Sequence, residues 1–166
     1  MRKLSLIAAF GALGLAGLLQ AQMAGTGKVD TQWKCGVPGP VHALPVGDVP
    51  DHAYMIQQIK CSAAKGEIAG VKEKDGAATE FAEGSGNNGK GHGIFIATTA
   101  SGDKVNYTYT FTGVSKDNKL VSGSNKWTIT GGTGKLKGIT GSGTCTGKGA
   151  ADGTAVFDCT GTYTMK

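Results

Sequence analysis

From Tyr54 to the C-terminus the chain alternates apolar and polar residues, with turn-forming residues roughly every ten positions and no sustained helical period. That pattern predicts an all-β domain. Directly opposed residues of an antiparallel pair share a face, so each hairpin can be registered by parity. In the last hairpin a three-residue loop, Ala151-Asp152-Gly153, pairs Ala150 with Thr154 and sets Cys145 opposite Cys159, Gly147 opposite Phe157 and Gly141 opposite Tyr163. An aromatic ring covers the gap a strand glycine leaves, so three features agree on one register. A loop at Lys116-Asp117-Asn118 pairs Phe111 with Gly123, Tyr109 with Asn125, Tyr107 with Trp127 and Val105 with Ile129. A two-residue turn at Ser101-Gly102 sets Thr98, Ile96, Ile94 and His92 against Val105, Tyr107, Tyr109 and Phe111, which turns His92 inward. A turn at Asp75-Gly76 pairs Gly70 with Phe81 and Ile68 with Glu83, and leaves the facing of that strand open.

With short strands at 29–35 and 54–61, eight or nine strands follow one another through mostly short loops. The expected fold is an antiparallel up-and-down eight-stranded β-barrel with a disulfide-tethered N-terminal segment; a β-sandwich is the second architecture compatible with the pattern. All four prolines fall within residues 36–52, which read as a loop because proline removes backbone donors.

The N-terminus changes the picture. Arg2 and Lys3 precede an apolar run from Leu4 to Leu19 and then small residues, the order of a secretory signal peptide. Cleavage is expected after Ala21, with Ala24 the alternative; the run is short for a bilayer span and rich in Ala and Gly. The expected organisation is a signal peptide at 1–21, an N-terminal strand and proline-rich connection at 22–53, and the barrel at 54–166. Removing the two N-terminal cations takes the formal charge from +5 to +3, and the lysines are scattered among acids. Nucleic acid is therefore not an expected partner, since that needs a basic stripe with aromatic platforms. No membrane span is expected after cleavage.

Four cysteines behind a signal peptide read as two disulfides in a secreted or periplasmic protein. No C-x-x-C pair suggests zinc, and no metal or cofactor is expected. The hairpin register selects Cys145–Cys159, which leaves Cys35–Cys61, with Trp33 and Ile59 beside the sulfurs.

The segment "TGGTGKLKG" raises the question of a phosphate loop. Ile129 occupies the position of the required first glycine, Leu136 follows Lys135, and the next residues are strand-like, so the signature fails. A glycine corner is expected instead, with Leu136 and Ile139 covering one barrel end. His42 and His52 flank the proline loop as exposed polar residues. His92, beside Tyr109, Phe111 and Asn125, reads either as a cavity acid–base group or as a core histidine with satisfied ring nitrogens. Glu83 is the one carboxylate nominated for the lumen, the barrel rim being its other placement. Tyr107, Tyr109 and Trp127, with Phe111, Phe157 and Tyr163, either line a ligand cavity or fill the barrel. Inward glycines (Gly123, Gly141, Gly143, Gly147, Gly161) leave room and favour a cavity.

The run "WTITGGTGKLKGITGSGT", preceded by "GHGIFIATTASGDKVNYTYTFTG" and followed by "GTYTMK", resembles small secreted bacterial proteins with an allene oxide cyclase-like barrel. The "GGTGKLKG" corner is also similar to one in plant dirigent proteins. The resemblance spans residues 54–166 and implies an eight-stranded antiparallel barrel. It does not imply cyclase activity, because the enzymes' cavity residues have no counterparts here one by one, and no aspartate falls on the inferred inner face to match the dirigent acids. The expected function is that of an exported, non-enzymatic binding or structural protein, with a small hydrophobic molecule as its possible ligand. The alternative is an isomerase or cyclase-like enzyme using His92, Tyr109, Asn125 and Glu83 on such a substrate.

Overall fold

The computed structural model describes residues 25–166. The expected signal peptide and its cleavage site lie outside them. Ten strands follow in order: β1 (Gly25–Cys35), β2 (Val41–Pro45), β3 (Ala53–Lys65), β4 (Glu67–Ile68), β5 (Val71–Ser85), β6 (Asn88–Thr99), β7 (Lys104–Lys116), β8 (Lys119–Gly132), β9 (Thr140–Gly149) and β10 (Ala155–Met165). Every pairing is antiparallel, and the β3–β5 and β1–β10 pairings close the sheet. The result is the expected eight-stranded up-and-down barrel, built from β1, β3 and β5–β10. The N-terminal strand belongs to the wall: β1 lies between β10 and β3. The proline-rich connection is not all loop, since β2 continues along the same edge of β3 that β1 occupies. Proline is tolerated there because β2 pairs on one side only. Among the described residues no helix is long and apolar enough to cross a membrane.

The β9–β10 hairpin has the expected register, and both disulfides, Cys35–Cys61 and Cys145–Cys159, are formed. The other hairpins differ. The β7–β8 turn uses two left-handed residues, Asp117 and Asn118, followed by a register shift. Faces are preserved, but Tyr109 now opposes Trp127 and Phe111 opposes Asn125. The β6–β7 connection is a three-residue loop, Ala100-Ser101-Gly102, closed by Thr99 N–H to the Asp103 carbonyl with Gly102 at φ 89°. The added residue slips the register by one, so Gly91, Gly93, Phe95 and Ala97 face the lumen and His92, Ile94 and Ile96 face out.

The expected Asp75-Gly76 turn is also absent. Ala69 and Gly70 take the left-handed turn instead, and β5 runs through Gly76, where the Phe95 ring fills the space of a side chain.

One end of the barrel is sealed. Ile68, Ala97, Val105, Leu136 and Ile139 are fully buried there, with Ile129 and Thr99 nearly so. Backbone bonds tie the end loops together: Glu73 N–H to Gly66, Ala100 to Lys72 and Thr133 to Lys104. Leu136 and Ile139 plug this end, as the corner reading of "GGTGKLKG" expects; Lys135 is exposed.

Candidate functional site: the barrel mouth and its carboxylates

The other end has a different character. Gly84, Gly89, Gly113, Gly123 and Gly147 form one continuous register row across five strands, all on the inner face. With no side chains from this row, Met55 reaches over Gly84 and Leu120 lies against Gly113. Inward-facing Met55, Gln57, Phe111 and Asn125 are only half-buried, which makes this end a mouth. A shallow concave surface of about 670 Å³ lies on the outer side of the β5–β8 rim, against Gly89, Gly113 and Gly123 and the outward Glu83, Lys90, Thr112 and Ser124; the inward Met55, Gln57, Phe111 and Asn125 do not line it.

Below the mouth the room left by glycines is taken by rings. Phe111 lies over Gly91, Tyr109 over Gly93, and Trp127 over both Gly143 and Gly161. Edge-on contacts continue the stack, with Trp33–Phe95 at 4.9 Å and Tyr107–Trp127 at 5.7 Å between centroids. The glycines therefore serve the packing of aromatics in the barrel's middle instead of holding a deep cavity open.

Two carboxylates face this interior, and neither was expected there. Glu80 forms the floor of the mouth: Oε1 accepts from the Tyr109 hydroxyl at 2.6 Å and Oε2 from Gln57 Nε2 at 2.7 Å. Burial, and then the neighbouring Glu80 charge, raise the Tyr109 phenol well above its ordinary range, so it remains a donor. Glu73 lies in the sealed half at 2% exposure, with the Tyr107 hydroxyl 3.3 Å from Oε1 and Oε2 without a partner. Burial pushes its carboxyl up to about 7, partly opposed by the Tyr107 hydrogen bond. Glu73 has the opposite parity to Glu80 and turns inward through the irregularity between Glu73 and Asp75, which the pattern does not mark. The signal for Glu80 was the alternation Ala78, Glu80, Ala82. Small residues face inward there because Phe95 and Tyr109 on other strands need the volume, whereas the hydrophobic pattern alone favours Phe81.

Two of the sequence-predicted residues lie elsewhere. His92 is on the outer surface, stacked on Phe81 at 5.6 Å, because of the one-residue slip in β6. Glu83 also faces out, since β5 parity places Glu80 and Ala82 inside; it meets Lys90 at 3.3 Å and His52 Nε2 at 3.4 Å. His52 is accordingly not exposed: Asp48 holds its Nδ1 at 2.6 Å. His42 is exposed. Tyr107, Tyr109, Trp127 and Asn125 do face the lumen, and the Asn125 Oδ1 and Trp127 Nε1 atoms are buried without hydrogen-bond partners.

Met55 and Phe111 give this end an apolar surface, beneath which both Glu80 oxygens are engaged and the Asn125 oxygen is buried without a partner. Proton transfer from within is poorly served: Glu73 is sealed off, and Tyr109 is held as a donor to Glu80. The chain matches no known family model and no curated protein.

Proposed function

We propose that this is an exported, non-enzymatic binding protein whose barrel mouth takes one small, largely aromatic or aliphatic molecule carrying an N–H or O–H donor. The observation that carries the reading is the contrast between the two barrel ends. One is sealed by fully buried aliphatics, while at the other Met55 and Phe111 stand half-buried above Glu80. Apolar walls would supply affinity, and the Asn125 oxygen and Glu80 carboxylate would select a donor-bearing ligand. The two disulfides suit an oxidising compartment, as expected of a secreted or periplasmic protein. An isomerase reading keeps Tyr109 and Asn125 but has His92 and Glu83 on the outside.

The test is fluorescence titration with 1-aminoanthracene, a flat apolar amine. Saturable binding is expected, weakened at least about tenfold by Phe111→Ala and by Asn125→Leu and unaffected by His92→Ala. Equal binding by all four proteins, or none by the wild type, would refute a mouth site.

A further inference from the structure

The outer surface is divided in two. On β7–β10 the outward residues are largely Thr, Ser and Lys, including Thr108, Thr110, Thr128, Thr144, Thr160 and Thr162. On β2, β3, β5 and β6 they are not. Leu44 is 72% exposed, Phe81 55%, Tyr54 54% and Ile94 53%, and Ile56 and Ile96 stand beside them. Cross-strand register makes this one band: Leu44 opposes Tyr54, His42 opposes Ile56, Ile56 opposes Phe81 and Phe81 opposes His92, with Ile94 and Ile96 following along β6. From residue 93 to 97 strand β6 is thus apolar on both faces, the pattern of a strand covered on both sides. The same chain makes a hydroxyl-rich outer face over the other half of the barrel, so strand propensity alone does not account for the band.

The geometry points to a second copy of this chain as the occupant, docked face to face through the β2–β3–β5–β6 band. Its six apolar side chains present on the order of 600 Å² of exposed surface, close to the ~800 Å² that each partner gives to a standard interface, and the flanking histidines add to it. Charge lies at the ends, with Lys60 and, just beyond it, the Lys74–Asp75 pair at one and the Glu83–Lys90 pair at the other. A two-fold axis in the interface plane and perpendicular to the strands sets Lys60 of one copy toward Glu83 of the other, which suits an isologous dimer. Pairing along the open edge of β2 is a poorer solution. Pro45 has no N–H to give, and the strand is five residues long.

Sedimentation velocity of the disulfide-intact protein from about 1 to about 100 µM tests this. A monomer–dimer equilibrium within that range is expected for the wild type and for Val121→Glu, which alters an exposed apolar residue of β8 outside the band. Phe81→Glu and Leu44→Glu should each weaken association at least tenfold, with near-UV circular dichroism unchanged because both positions are exposed. A wild type that stays monomeric at the top concentration overturns the proposal, including one that instead floats with phosphatidylcholine vesicles. A dimer that survives both substitutions overturns it as well.

Discussion

Tyr109 and Glu80 are joined by a 2.6 Å hydrogen bond that bridges over Gly93 of the intervening strand β6, from β7 to β5, two strands that do not pair with each other. The bond satisfies a nearly buried carboxylate and fixes the floor of the mouth. Tyr109→Phe removes the donor and leaves Glu80 with its Gln57 bond. The expected cost is about 1–3 kcal/mol, because the acceptor remains buried. The midpoint of urea unfolding should fall with an unchanged slope; a midpoint equal to that of the wild type would mean the bond adds nothing in solution.

Glu73 gives the fold a pH dependence. Its carboxyl titrates near 7 when folded against an ordinary 4.5, so between those values the folded chain holds a proton that the unfolded chain has released. Stability contributed by this residue is therefore full below the lower value and declines as pH rises through the upper one, by about 3 kcal/mol in total. Glu73→Gln should flatten this part of the profile and exceed the wild type in stability at about pH 8. Urea unfolding across that range provides the check, and parallel profiles for the two proteins would contradict the assignment.

Gly143 lies beneath Trp127 and against the Thr160 carbonyl, so an added methyl group meets both ring and backbone. Gly143→Ala should cost about 1–3 kcal/mol or more through overpacking. Gly25→Ala, where no atom lies within 4 Å, should change stability by less than about 0.5 kcal/mol. Similar losses from the two changes in thermal denaturation would contradict the ring-on-glycine packing.

Much of this architecture was legible in the sequence, and the misreadings share a cause. The Ala151-Asp152-Gly153 loop could be placed because glycines, aromatics and cysteines on both strands agreed. The Ala100-Ser101-Gly102 loop has the same backbone pattern, but β6 is apolar on both faces from residue 93 to 97, so a one-residue slip left an equally plausible inner face and carried His92 inside. Asp75-Gly76 has the composition of a tight hairpin, yet the Phe95 ring occupies the place of a Gly76 side chain, a contact invisible to local pattern. With that turn displaced, Glu83 took the lumen position that belongs to Glu80.

The glycine corner after β8 separates lysine from leucine. Leu136 is fully buried and Lys135 exposed, so Leu136→Ala should cost about 2–5 kcal/mol. Lys135→Ala should stay within about 0.5 kcal/mol. Chemical denaturation of the two variants distinguishes this plug from a functional phosphate-type loop, for which the lysine would matter more than the leucine.

Native mass spectrometry of the protein purified from its own host tests the binding barrel most directly. The wild type should carry a small molecule of a few hundred daltons, on the order of what a single mouth site can enclose, that is released on unfolding. The same preparation of Asn125→Leu should be largely free of it. A wild type that shows the bare mass of its disulfide-bonded chain alone, or an Asn125→Leu protein that retains the adduct in full, would contradict a ligand held at the mouth above Glu80.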